Sequence, residues 1–228
     1  MPVPEQVLYA TTAMRALLRA EEALLRASVP ARAGSYGLYL GMRDGGRVCA
    51  ESAAHWVRLH CDNELWRGSL HARRDEALPF AEGAFSVVVI SHAQQFGGHS
   101  QALLHEAARV TAPGGTLALS GMHPFSAWAP WLSWCMRGAS QSLQLRAPLH
   151  WTRCVVEQGF KVQGIHRFGR ILPRGEAVQG MGSEQLGGGY LVVARKHPAA
   201  ATPLRFARLP ERVRGTGSLA PGAHRECA

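Results

Sequence analysis

An α/β fold with a mostly parallel sheet is what this sequence predicts, and three observations predict it. Val87-Val88-Val89-Ile90 is an unbroken apolar run, Ser100 to Val110 follows it with apolar residues at helical spacing, and Pro113-Gly114-Gly115 then leads into the apolar stretch Thr116 to Gly121. Strand, helix, turn and strand in that order make a right-handed crossover, and parallel strands covered on both faces read as continuously apolar.

The elements follow along the chain. Thr11 to Ser28 carries Met14, Leu17, Leu18, Leu24 and Leu25 at helical spacing, with Arg and Glu assigned to the other face, and stops before Pro30. It reads as an amphipathic helix. A turn-like PARAGSYG precedes Leu38-Tyr39-Leu40, a short strand ending at Gly41, and the loop MRDGG comes next. Val48 to Trp56 reads as a short helix, and Val57 to Cys61 alternates as a strand that ends at Asp62. Pro79 and Gly83 punctuate a turn region before the apolar run, and Ser100 caps the helix after it, with Leu103, Leu104, Ala107 and Val110 facing inward.

Trp128 to Arg137 is an apolar, tryptophan-rich helix or surface segment. Leu149 to Gly159 is a further helix, Phe160 to Phe168 a strand, and Gly189 to Lys196 a final strand. The Gly-rich stretch between those strands is expected to be a loop. Residues 1–197 are read as a single domain and 198–228 as an irregular basic tail.

The chain has 228 residues, 46% apolar and 18% charged, and so can bury one sizeable core. Its net charge of +9 comes almost entirely from arginine, Lys161 and Lys196 being the only lysines, and several arginines (Arg205, Arg208, Arg212, Arg214 and Arg225) lie in the tail. A nucleic-acid partner is therefore ranked last: the interleaving of aromatic and basic residues on strands that single-stranded readers use is missing. Cys49, Cys61, Cys135, Cys154 and Cys227 form no Cys-x-x-Cys pair, so neither a disulfide framework nor a metal site is indicated. No stretch is long and apolar enough to span a bilayer and the first residues lack the order of a secretory signal, so a soluble, cytoplasmic protein is expected.

From Leu78 to Trp128 the chain reads LPFAEGAFSVVVISHAQQFGGHSQALLHEAARVTAPGGTLALSGMHPFSAW. This is similar to the second half of class I S-adenosylmethionine-dependent methyltransferases, in particular a bacterial type 11-like group. The corresponding stretch there runs LPF-x-x-x-SFD-x-V-V-x-x-H-x-LEF, then L-x-E-x-x-RVL-x-PGG, a strand, and G-x-NP-x-S-x-W. The resemblance implies a Rossmann-like three-layer sandwich, a C-terminal antiparallel hairpin that the strand YLVVARK would complete, and S-adenosyl-L-methionine as cofactor. It places the cofactor at the carboxyl ends of the strands, where strand order reverses.

The resemblance carries over residue by residue. Gly41 and Gly45 stand at the first and last glycines of the cofactor loop, but Tyr39 stands where an acid is expected and Arg43 where the middle glycine is. Asp62 is at the place of the ribose-binding carboxylate. The adenine-binding Asp aligns with Arg74, with Asp75 able to serve after a slip of one residue. Ser91, His92 and Gln95 would face the site; Ser86 and Gln95 replace the family's Asp and Glu.

His92 is the candidate base, with His123 second, since a nucleophile carrying a proton needs one; a purely structural His92 capping the strand is the alternative. Trp128, Trp131, Trp134 and Trp151 could wall a pocket for a flat small molecule or form core and dimer surface. Two functions stay open: methyl transfer to a small-molecule acceptor, and a methyltransferase-like protein that has lost the reaction and binds a partner, as a homodimer or with another protein, through 128–137. The N-terminal helix 11–28 would be a lid or cap.

Overall fold

The computed structural model describes residues 8–9, 11–30, 32–42, 52–62, 64–137, 142–173 and 187–198. Gly45, most of the Gly-rich loop and the basic tail lie outside them.

Helix α1 (Thr12–Ser28) starts where the Thr11 hydroxyl accepts the Met14 N–H at 3.3 Å and ends with Val29 N–H on Leu25 O. It buries Met14, Leu17, Glu21 and Leu25, one stripe at helical spacing that includes a carboxylate. The strands are β1 (Arg32–Gly41), β2 (Ala53–Asp62), β3 (Leu65–Gly68), β4 (Ala72–Arg73), β5 (Phe85–Ser91), β6 (Thr111–Met122), β7 (Phe160–Phe168) and β8 (Gly189–Lys196). Among them lie α2 (Ser100–Val110), α3 (Trp128–Cys135) and α4 (Pro148–Glu157).

All eight strands form one sheet in the order β4-β3-β2-β1-β5-β6-β8-β7. The expected crossover is present: β5 and β6 are parallel, with Val88 opposite Leu117 and Ile90 opposite Leu119, and α2 between them. So is the C-terminal antiparallel pair β7–β8. The mostly parallel sheet is corrected to a mixed one. Only β2, β1, β5 and β6 run parallel, while β3 and β4 on one side and β8 and β7 on the other are antiparallel. The cause is local: β2 ends at Asp62 and β3 begins at Leu65, a link far shorter than the dozen or so residues a parallel crossover needs.

Two further corrections follow from pairing. The expected helix over 48–56 lies partly outside the described residues, and from Ala53 onward it is strand β2, paired through Trp56 with Gly37. The turn-like PARAGSYG belongs largely to β1, because Arg32, Tyr36 and Gly37 pair with β2 and Gly37 also with β5.

Alternation along the strands assigns the layers. Ser120 contacts Glu21 of α1, and its neighbour Gly121 lies against Tyr190, whose own surroundings include Trp151 of α4. Helix α1 therefore covers one face of the sheet and α2 and α4 the other. The core runs through the central strands, where Leu38, Leu40, Val87, Val88, Val89, Ile90 and Ala118 are fully buried.

Candidate functional site

The chain crosses from β1 to β2 on one side and reaches β5 on the other, so strand order reverses between β1 and β5. In open α/β sheets that switch point, at the carboxyl ends, is where ligands sit. There β1 ends in Leu40, Gly41 and Met42, and β5 in Ile90, Ser91 and His92; the four-residue parallel register ends with Leu40 opposite Ile90. One residue further, Gly41 and His92 pair backbone to backbone as an isolated bridge.

His92 has φ 58°, the one non-glycine residue in the left-handed region among those described. Several contacts hold it. Its N–H donates to Ser120 O at 3.1 Å, its Nδ1 lies 3.4 Å from Gln95 Oε1, and its Nε2 lies 3.3 Å from Glu21 Oε2. The last contact is close enough for attraction but not aligned as a hydrogen bond, which leaves Nε2 a buried polar atom without a bonded partner. The edge of the Tyr9 ring closes over the imidazole, centroids 6.2 Å apart.

Glu21 is the functional residue that sequence reasoning missed. Its Oε1 accepts from Ser91 Oγ at 2.8 Å and also from Ser120 Oγ, residues opposite each other on β5 and β6. Burial pushes its carboxyl up, but the attraction and close contact of His92 and the hydroxyls of Ser120 and Ser91 outweigh that and hold it below its ordinary value. A signal was available, since position 21 falls on the apolar stripe 14-17-21-25 rather than on the charged face.

The structure brings Gly41, Ser91, His92 and Gln95 together at the switch point, all buried. Gln95 Nε2 reaches toward Met122 O (3.5 Å), and Gln94 Nε2 donates to Ser120 O (2.7 Å). Asp62 lies at the end of β2, partly exposed, in an ion pair with Arg67 of 2.8 Å. Asp75 stands apart: it takes Arg73 bidentately (2.9 and 2.8 Å) on the surface, and that guanidinium holds its carboxyl below the usual range.

Beside Asp75, Arg74 turns inward. Its Nη2 donates to Ala93 O (3.2 Å) and Phe96 O (2.8 Å), and its guanidinium lies over the Trp66 ring, 5.6 Å from the centroid. A side chain at Gly97, φ 80°, would meet Arg74 Nη1, so that glycine leaves room for the guanidinium. Tyr39 folds over Gly41 where the family has an acid and would collide with any side chain there.

His123 is half-buried, which lowers its pKa, and its Nδ1 accepts the Phe125 N–H at 3.2 Å as part of its own turn. Of the tryptophans, Trp128 and Trp151 are core, whereas Trp134 (66%) is exposed, as is Phe125 (86%) before the helix. Below the switch point, the Tyr190 hydroxyl sits among Gln94, Trp151 and Gln95 without an aligned hydrogen bond, and burial pushes its pKa well up. Among the described residues no three His, Cys, Asp or Glu side chains converge as metal ligands, and no helix is long and apolar enough to cross a membrane.

A methyltransferase-domain family model matches residues 48–119, the segment from β2 to β6. No curated protein sequence matches the chain. Among solved structures, the chain is similar to an S-adenosylmethionine-dependent methyltransferase from Thermotoga maritima described as a possible histamine N-methyltransferase. The TM-score is 0.57 at 14% identity, over 84% of this chain and 95% of that one. It is similar also to the putative methyltransferase bound to the Trm112 activator of Haloferax volcanii, with TM-score 0.58, 12% identity, and 86% and 98% covered. A geranyl diphosphate methyltransferase in complex with its methyl donor gives 0.53, 13% identity, and 85% and 90% covered. With the sheet order and the matched segment in agreement, the chain has the fold of a class I S-adenosylmethionine-dependent methyltransferase, and residues 48–119 are similar to the methyltransferase-domain family.

Proposed function

We propose that the protein transfers a methyl group from S-adenosylmethionine to a small-molecule acceptor. The observation that carries this reading is the polar turn Ser91–Gln95, gathered on β5 beside Gly41 at the point where strand order reverses. Buried His92, whose Nε2 faces Glu21 without an aligned hydrogen bond, adds a second kind of polar side chain to that turn.

The fit to the cofactor is uneven. Gly41, Ser91, His92 and Gln95 suit its polar end, and Asp62 suits the ribose hydroxyls once it leaves Arg67. At the adenine end Arg74 is buried in place of a carboxylate, and Asp75 faces away with Arg73.

When bound, the cofactor supplies a methyl group already activated on a sulfonium. The protein's task is then alignment and exclusion of water. The burial of Ser91, His92 and Gln95 supports a dry site. His92 is the group we assign to take a proton from an acceptor hydroxyl or amine, which requires its ring to turn away from the two acceptor oxygens it faces, Gln95 Oε1 and Glu21 Oε2.

A second reading has its own support. The Gly41–His92 bridge, Tyr39 and Arg74 together favour a methyltransferase-like protein without turnover, working through a protein partner, as the Haloferax relative is complexed with one. Exposed Trp134 and Phe125 would form the contact. Calorimetric titration with S-adenosylmethionine and S-adenosylhomocysteine separates the two. Binding that weakens at least ten-fold in Asp62→Ala supports the enzyme; absence of heat at millimolar ligand supports the partner protein.

A further inference from the structure

We infer that Glu21 is a latch, a carboxylate on α1 that keeps the crevice between β1 and β5 closed, so that the methyl donor enters only when the helix releases it. This inference rests on the reading that the donor binds at that switch point.

The contacts form a chain of dependence. Glu21 reaches from α1 to β5 and β6, accepting from Ser91 and Ser120, and its other oxygen faces His92, the residue that follows β5. His92 stands in the left-handed backbone region, which a residue with a Cβ adopts only when its surroundings hold it there. In that conformation its backbone pairs with Gly41 and spans the gap in which a ligand would lie. Tyr39 lies folded over Gly41 on the same strand end.

Glu21 is also the one charged residue in the buried stripe of α1. Met14, Leu17 and Leu25 would hold the helix to the sheet unaided, and an alanine or leucine at position 21 would do so at no electrostatic cost. A buried carboxylate is a poor choice for plain adhesion, because it is tolerated only while fully partnered. It is a good choice for a contact that must be made and broken, since water solvates it well once the helix lifts.

The test compares wild type, Glu21→Ala and Glu21→Gln, each first shown to be folded by its circular dichroism. S-adenosylhomocysteine binding is measured by calorimetry and backbone amide exchange by NMR. The latch predicts that Glu21→Ala binds S-adenosylhomocysteine at least ten-fold more tightly than wild type and that the His92 and Gln95 amides exchange at least ten-fold faster, with those of α2 unchanged. Glu21→Gln keeps an acceptor for the two serines and falls between; it also carries the test if the alanine variant does not fold. Equal or weaker binding in the folded variants overturns the latch. If no form binds the ligand, the donor reading fails separately, and exchange alone decides: faster exchange at His92 upholds a latch on the crevice, and unchanged exchange removes it.

Discussion

On one side of β1 the sheet continues through β5, β6 and β8, strands buried along almost their whole length and covered by helices on both faces; on the other it continues through β2 into the short antiparallel strands β3 and β4, which carry exposed ion pairs such as Arg73–Asp75. The first side is built as a crossover fold requires and ends in the polar turn where an acceptor would be methylated. On the second, where the proposed reading puts the ribose and adenine of a donor, β2 passes to β3 by a short link in place of a crossover and Arg74 stands inward. The two sides therefore differ in how deeply they are buried, and substitutions on each tell their contributions apart.

The largest expected effect tests where stability resides. Trp151→Ala removes a fully buried ring from α4, against β7 and β8, and should cost about 4 kcal/mol in urea unfolding. A loss under about 1 kcal/mol would mean that this side is not the stabilising one. Arg74→Ala probes the seam between the halves. It strips two buried carbonyls, Ala93 O and Phe96 O, of a charged donor, for roughly 2 kcal/mol, and amide exchange should quicken across 93–97. A change confined to β3 and β4 would show that Arg74 belongs to that side alone.

Acid comes next. Glu21 and Glu106 both titrate below their ordinary value of 4.5 in the folded protein, Glu21 against the burial that opposes it and with His92, Ser120 and Ser91 as partners, Glu106 through Arg109. The unfolded chain binds their protons more readily, so the stability they contribute is complete above about pH 4.5 and is lost as pH falls through the lower folded values. Thermal melts from pH 6 down to pH 3 should fall less steeply in Glu21→Gln. An identical slope would show that the Glu21 contacts do not bias its carboxyl. The smallest effect belongs to Asp75→Ala, which breaks only a solvent-screened pair and should leave the unfolding midpoint where it is. A shift comparable to that of Arg74→Ala would give Asp75 a part in the site after all.

How much of this was legible depended on whether a segment's own pattern or its neighbours decided its structure. The apolar run of β5, the helical spacing of α2 and the span Gly189–Lys196 of β8 were readable because burial on both faces, or one clean stripe, leaves its period in the sequence. Arg32 to Gly37 looked like a turn because of its glycines and serine, yet pairing with β2, joined by β5 at Gly37, makes it strand. Ala53 to Trp56 gave no alternation, because both faces of β2 are only partly covered there.

At the site, Ser91, His92 and Gln95 were legible from an abrupt change to polar residues after a buried strand. Glu21 was not, because a charged residue beside Glu22 is assigned to the solvent face unless its exact place in the stripe is counted. The inward turn of Arg74 against the outward turn of Asp75 depends on Trp66 and the 93–97 turn, contacts that no local pattern encodes.

The central claim is that the crevice between β1 and β5 is the donor site, and amide exchange of the wild-type protein with and without millimolar S-adenosylhomocysteine tests it most directly. The account predicts altered exchange at Leu40 to Met42 and at Ser91 to Phe96, with β7 and β8 unchanged. No change at either strand end, or a change centred on β7 and β8, would contradict it.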